Sequence, residues 1–294
     1  MNCPLLIFAY NRPLHLKKTL EALALNQGAG QQQVIIILDG AKKEQDKPLQ
    51  EAIKEIVSQA AGFASVELMQ NPINLGLSGS IITHVTQKVN EFGAVIVLED
   101  DMETSPLFLR YMHDALEKYE HSQEVISIHA YVYPIAGLPS SFFLKGADCW
   151  GWATWKNKWA LFNPNGESLL RELKQRHLLK RFDYNHSYGY TKMLKQQIAG
   201  KNQSWAVRWY ASALLADKLT LYPGKSLVRN IGNDASGTHS KKTDVFDPIL
   251  AANLPELCTE IVENKEAYQA FCTYFRKVRF HAYLNKLKNL LRLS

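Results

Sequence analysis

Val95-Ile-Val-Leu-Glu-Asp-Asp-Met102 decides how this chain is read. An apolar run ends in three carboxylates, Glu99, Asp100 and Asp101. A run that is apolar on both faces marks a strand buried inside a sheet. Adjacent carboxylates repel one another and cost stability unless a cation is near. A hard divalent ion with oxygen ligands supplies that charge. Mg2+ or Mn2+ takes one or two carboxylates and fills its shell with phosphate oxygens and water. The alternative is a solvated acidic loop that caps the next helix, where Asp and Glu are favoured by the helix dipole alone.

Upstream, the same kind of strand recurs. Residues 4–10 (PLLIFAY), 34–38 (VIIIL) and 66–70 read as strands. Helical patterns separate them at 13–25, 47–60 and 78–92, before the strand at 94–98. This alternation predicts an α/β fold with a doubly wound, mainly parallel sheet. Ligands in such sheets bind beyond the carboxyl ends of the strands. Asn11-Arg12, Asp39-Gly40 and the acidic trio each end a strand, so they are expected to converge on one crevice. Downstream of residue 125 the pattern changes. Residues 124–129 and 219–230 look strand-like, and 142–162 are dense in aromatics. Trp155 and Trp159, spaced i, i+4, read as helix packing. All six tryptophans lie between Trp150 and Trp209.

The bulk properties narrow the class. A chain of 294 residues suits one large α/β domain or two small ones. With 46% hydrophobic and 21% charged residues, the composition is that of a soluble globular protein. No apolar run approaches the roughly 18 residues needed to span a bilayer. The N-terminus has no basic residue before its short apolar stretch and reads as a first strand, not a signal peptide. A cytoplasmic protein is expected. Cys3, Cys149, Cys258 and Cys272 lack zinc or disulfide spacing and read as reduced packing residues. The formal charge of +6 is concentrated at the end. Arg276, Lys277, Arg279, Lys286, Lys288 and Arg292 occur in a stretch without acids; the rest holds 28 basic and 28 acidic residues. That is unlike a nucleic-acid binder. In the same stretch Phe280, Tyr283, Leu284, Leu287, Leu290 and Leu291 follow helical spacing. Such a helix suits an anionic membrane surface, or it packs its apolar face on the body.

LEDDMETSPLFLRYM resembles the acidic metal motif of GT-A-fold glycosyltransferases, in the version of N-acetylglucosaminyltransferase I and its relatives. IFAYNRP, IILDG and NLGLSGSI resemble the donor-side segments of that fold. WGWATWKNKW is similar to its acceptor-side segment, and SWAVRWYAS and LYPGKSLVRNIGNDASGTH to later blocks of family-2-like bacterial sugar transferases. The resemblance covers about residues 4–240. It implies a GT-A-like catalytic domain at 1–242, with the nucleotide-sugar part at about 1–105 and the acceptor part at about 106–242. A helical, basic, amphipathic tail at 243–294 follows it.

The resemblance also implies roles. Asp101 would bind Mn2+ or Mg2+ bridging two phosphates, with His239 completing the metal shell. Asp100 would face the ribose or the metal shell, supported by Glu99. Asp39 would bond the base or ribose, with Arg12 beside the base or Asp39. Trp150 and Trp152 flank Gly151, and one of them would line the acceptor cleft. An inverting transferase needs a carboxylate near the acceptor hydroxyl. SWAVRW lacks the acid of its relatives at Ala206, which leaves Asp148 and Asp234 as candidates, Asp148 first. The implied reaction moves a hexose or N-acetylhexosamine from a UDP sugar to a saccharide or lipid-linked saccharide. Its implied setting is bacterial surface polysaccharide or lipopolysaccharide synthesis on the inner face of the membrane. The rivals are a nucleotidyltransferase and a non-catalytic carbohydrate-binding protein. A nucleotidyltransferase would show a Gly-rich turn after the first strand, where this chain has Ala9-Tyr10-Asn11-Arg12.

Overall fold

The structure is a computed structural model that describes residues 3–232 and 245–291, with side chains of the last helix as far as Leu284. Its centre is an eight-stranded sheet. The first half is β1 (Leu5–Ala9), β2 (Gln33–Leu38), β3 (Ser65–Gln70) and β4 (Ala94–Glu99). Helices α1 (Pro13–Ala24), α2 (Asp46–Ser58) and α3 (Gly76–Phe92) connect them. These four strands are parallel, with Leu5 opposite both Val34 and Ile96. Their order is β3-β2-β1-β4, so the chain reverses its winding between β1 and β4. A crevice opens at such a point, beyond the carboxyl ends of the two strands.

Both faces of these strands are apolar because both are covered. Leu5, Ile7, Val34, Ile36 and Ile96 pack against Leu16, Leu20 and Leu23 of α1 and Ile53 of α2. The alternate residues Leu6, Phe8, Ile35, Val95 and Val97 pack against Ile81, Val85 and Val89 of α3. This is the period-two alternation of a strand, with each face matched to its own helices.

The second half adds β5 (Met102–Thr104), α4 (Phe108–Tyr119), β6 (Val125–His129), β7 (Ser141–Lys145) and β8 (Trp152–Trp155). Helices α5 (Lys156–Trp159), α6 (Gly166–Gln175), α7 (Leu179–Phe182), α8 (Tyr190–Ile198) and α9 (Ala206–Leu215) follow, then β9 (Leu219–Pro223) and β10 (Val228–Asn230). The large sheet continues β4-β8-β6-β9-β7, and β10 pairs with β5 separately. β8 and β7 run antiparallel to their neighbours, while β6 and β9 are parallel to each other. The mainly parallel α/β expectation holds. The aromatic stretch at 142–162 carries two strands that alternation did not reveal. Trp155 ends β8 and Trp159 ends α5, so their spacing is not that of one helix.

The chain after 244 packs into the same body. Ser105 Oγ donates to Ala251 O (2.7 Å), Tyr119 Oη to Cys258 O (2.7 Å) and Ser141 Oγ to Glu256 O (2.6 Å). The long helix α10 (Lys265–Leu291) begins there. Ala267, Tyr268, Phe271, Cys272 and Phe275 are buried against Phe142, Leu144, Tyr184 and Tyr210. As far as Phe275, α10 is packed on the body. Beyond it, Phe280 and Tyr283 are each 60% exposed. No helix is long and apolar enough to cross a membrane among the described residues.

Candidate functional site

Arg12 and the acidic trio meet at the switch point. Arg12 is the residue before α1, and Pro13 fixes the first helical position. The guanidinium is thereby held at the helix mouth, and Arg12 Nη1 lies 2.7 Å from Asp101 Oδ2. The sequence put Arg12 beside the base or Asp39; the structure pairs it with Asp101. Asn230 Nδ2 donates to the other Asp101 oxygen at 3.2 Å. Tyr10 N–H donates to Asp100 Oδ2 at 3.3 Å. Asp100 and Asp101 are both buried.

Burial pushes the carboxyls of Glu99, Asp100 and Asp101 up from their usual range. The charge of Asp101 adds to this at Glu99 and Asp100, and Arg12 opposes it throughout. Among the described residues Arg12 is the cation bonded to this trio, through Asp101, and His15 also lowers Asp101 by its charge, so three carboxylates face little positive charge there. Hard oxygen donors with raised proton affinity fit Mn2+ or Mg2+. Among the described residues no three acidic, His or Cys side chains form a ready metal cage. An ion that completes its shell with phosphate oxygens and water does not need one. Gly232 passes so close that a Cβ there would lie 2.1 Å from Asp101 Oδ2. His239 and Asp234 lie outside the described residues.

Asp39 sits at the end of β2, but its carboxylate is already engaged. Oδ1 accepts from Asn71 Nδ2 (3.0 Å) and Leu75 N (2.9 Å). Oδ2 accepts from Asn74 Nδ2 (3.0 Å) and Gly76 N (2.8 Å). These four bonds brace the loop from 71 to 76 and the start of α3, where a negative charge is also favoured. The oxygens thus have their four acceptor positions filled, and none is left for a ribose or base. Gly40 allows this loop to approach. A Cβ at Gly40 would lie 2.3 Å from the carbonyl carbon of Ile73.

The acceptor-side candidates separate. Trp152 is 1% exposed, packed among Trp159, Trp205 and Trp209. Its indole fills the core between β8 and α9, so it offers no face to a ligand, and the expected acceptor role does not suit it. Trp150 is half-buried and meets Tyr131 edge-on, with ring centres 4.8 Å apart. Next to it, Asp148 is also half-buried and accepts from Cys149 N at 2.9 Å. Burial, and then the charges of Asp148 and Glu99, push the Cys149 thiol up, which places that thiol in the field of both carboxylates. Asp148 likewise adds to the raised values that burial gives Tyr131, Tyr133 and Tyr188. Tyr133 meets Tyr274 (5.4 Å) and Phe275 (4.9 Å) of α10, and Tyr188 meets Phe275 (4.8 Å). Asp148 Oδ1 lies 4.0 Å from His129 Nε2, and the His129 ring meets Tyr131, so Asp148 stands beside an aromatic chamber built from the end of β6, the turn before α8, and α10. The loop that carries it is held by Trp150 N–H, which donates to His129 Nε2 at 3.1 Å.

Two residues escaped the sequence reading. His129, fully buried at the end of β6, holds that loop. Arg208 is buried on α9 and donates to Ser204 O, Pro164 O and Ser78 Oγ. Its partners are neutral, and it lies against the first turn of α3. A lone cation in the otherwise apolar AVRWYASALL was the available signal. A cavity of about 610 Å³ lies at the other end of β4, beside Gly93, Trp155 and Trp159, and touches none of these groups.

Fold and site define an α/β protein with an acidic cluster at the switch point of its sheet. Residues 5–152, half of the chain, match the family described as glycosyl transferase family 2, and the chain belongs to that family. No curated protein matches it. Three solved structures are similar in part. One is residues 1–349 of S. aureus TarS in complex with UDP: 14% identity, TM-score 0.34, 47% of this chain and 37% of that one. Another is Mycobacterium tuberculosis glucosyl-3-phosphoglycerate synthase in complex with Mn2+, uridine-diphosphate-glucose and phosphoglyceric acid: 8% identity, TM-score 0.35, 55% of this chain and 58% of that one. The third is Anaerococcus prevotii 4-diphosphocytidyl-2C-methyl-D-erythritol synthase: 12% identity, TM-score 0.34, 54% and 74%. The chain spans less than two thirds of the first two.

Proposed function

We propose that this protein transfers a hexose or N-acetylhexosamine from a UDP sugar to a saccharide hydroxyl, with Mn2+ or Mg2+ at Asp100 and Asp101. The observation that carries this reading is the cluster of half-buried Glu99 with buried Asp100 and Asp101 at the switch point, where Arg12 pairs with Asp101. Family membership supports it. Asp100 and Asp101 would hold the divalent ion, which would supply positive charge to the diphosphate leaving group. Arg12 adds a fixed positive charge on the same side. Asp148 accepts the proton of the acceptor hydroxyl as that oxygen bonds to the sugar's C1. The C1–O bond to the diphosphate breaks in the same step, and UDP leaves with the electron pair. Trp150 offers its half-exposed ring to the acceptor. Asp39 acts indirectly, by holding the 71–76 loop.

The setting that fits is surface polysaccharide or lipopolysaccharide assembly at the inner face of a bacterial membrane. The exposed basic and aromatic end of α10 supports a peripheral location. A screen of nucleotide sugars by thermal shift, with Mn2+ and with EDTA, tests the reading. Stabilisation by a UDP sugar in Mn2+ alone is expected, with slow UDP release on incubation. The absence of both for every nucleotide sugar would overturn it.

A further inference from the structure

Two rows of apolar side chains run along α10, and they point in different directions. Tyr268, Phe271, Cys272 and Phe275 face the body and are buried. At 100° per residue, Arg279 continues that row, and its Nη1 donates to His186 O at 2.7 Å. Phe280 and Tyr283 are turned from the row of Phe275 by roughly 80–140°. One surface cannot cover both rows, and the outer pair is left 60% exposed. Arg276, Lys277 and Arg279 are exposed around it. No acid occurs after Glu266, so the charge around the outer row is of one sign.

The inner row meets the aromatic chamber. Tyr274 and Phe275 touch Tyr133, and Phe275 touches Tyr188, around Asp148. Tyr274 Oη also donates to Val245 O, and Tyr131 Oη donates to Phe246 O at 2.9 Å. Six residues separate Tyr274 from Phe280, roughly 9 Å along a helix axis. A single rigid helix thus walls the chamber and presents aromatic and basic side chains just outside it.

We propose that the outer end of α10 seats on an anionic lipid surface, and that the acceptor is a saccharide carried on a lipid in that surface. The aromatic pair enters the interface and the cations meet anionic head groups. The sugar of such an acceptor reaches the chamber while its apolar part stays in the bilayer. The acceptor class rests on the glycosyltransferase reading; the seating on lipid does not.

The test uses the full chain and a Phe280→Ser, Tyr283→Ser double variant, both of whose changes lie outside the chamber. Co-sedimentation with vesicles of equimolar phosphatidylglycerol and phosphatidylcholine is measured at low and high salt. The wild type is expected to bind at low salt and release at high salt, and the variant to bind at least about tenfold less. UDP release is then compared with dodecyl and methyl glycosides of glucose, galactose and N-acetylglucosamine in the same vesicles. A KM at least about tenfold lower for a dodecyl glycoside, lost in the double variant, is expected. A wild type that stays in the supernatant overturns the seating, even if it releases UDP. A dimer that the double substitution dissociates, without vesicle binding, overturns it in favour of a second copy. Equal KM for dodecyl and methyl forms overturns the acceptor class. Vesicle binding without turnover of any UDP sugar removes the glycosyltransferase reading and leaves the seating intact.

Discussion

Arg12 pairs with Asp101 at 2.7 Å across the point where β1 and β4 part. Both side chains are largely shielded, at 17% and 10% exposure, so water screens this pair less than a surface one. Arg12 is the cation that makes a row of three carboxylates tolerable. Arg12→Ala should cost about 2 kcal/mol, the scale of a lost charged hydrogen bond. Mn2+ should then stabilise the variant more than the wild type, because it replaces the missing charge. Denaturant titration of both proteins, with Mn2+ and with EDTA, gives the four values needed. Equal Mn2+ effects in the two would contradict a shared charge balance.

Asp101→Ala removes a carboxylate from a cluster whose members already repel. The fold should survive, with Tm shifted by only a few degrees. UDP affinity in Mn2+ should fall at least tenfold, and affinity in EDTA should hardly change. Calorimetry measures both. If UDP bound the wild type equally well in Mn2+ and in EDTA, the ion would have no part in donor binding.

Asp39→Asn tests a brace, not a ligand contact. The new amide nitrogen would face two N–H donors, so at least two of the four hydrogen bonds are lost. A stability loss of about 2–4 kcal/mol is expected. UDP affinity measured below the unfolding transition should fall less than it does in Asp101→Ala. The opposite ranking would restore Asp39 as a nucleotide contact.

The sheet was legible because β1, β2 and β4 are apolar on both faces, a pattern that only double coverage explains. Its carboxyl ends followed, and with them the expectation that Arg12 and the acidic trio share one crevice, but not the pairing of Arg12 with Asp101. β7 and β8 were not legible. SFFLK and WATW are short and lie among aromatics that suit either a core or a cleft, so Trp150 and Trp152 looked alike. Gly151, at a φ of +64°, separates them: it turns the chain just before β8, so Trp152 enters the core on the strand while Trp150 stays on the preceding loop. The bracing bonds of Asp39 were not legible for a related reason. Strand-end position shows where a carboxylate is, but Asn71, Asn74, Leu75 and Gly76 come from later in the chain and fill it. His129 and Arg208 gave no periodic signal, since each is one polar residue in an apolar run.

Asp148→Asn keeps the shape of the side chain and its bond from Cys149 N, and it removes the proton acceptor. Turnover should fall by about 10²–10⁴, the usual contribution of a positioned base, while UDP affinity stays within twofold. Steady-state kinetics together with calorimetry separates the two effects. Trp152→Ala is the contrasting control. It should cost about 3–5 kcal/mol of stability, as expected for a buried aromatic. Near-normal turnover in Asp148→Asn would return the base to Asp234.

His129 makes the chamber sensitive to acid. Trp150 N–H donates to Nε2, so the neutral ring carries its proton on Nδ1. Burial lowers the affinity of His129 for a second proton, and the charge of Asp148 offsets this only in part. The folded state therefore binds fewer protons than the unfolded chain below the ordinary His range, near pH 6.5. Stability from this group is fully present above that value and is lost as pH falls below it, by at most about 1.4 kcal/mol per pH unit. His84 is lowered in the same direction by burial and by Lys88, so the wild-type slope is the sum of at least two groups. His129→Gln supplies an acceptor for Trp150 N–H that does not titrate. The variant should lose less stability than the wild type between pH 7.5 and pH 5.5, in proportion to one group. Urea unfolding at the two pH values is the measurement. Equal losses in the two proteins would show that folded His129 takes up its second proton as readily as the unfolded chain does, so that burial does not hold the ring neutral.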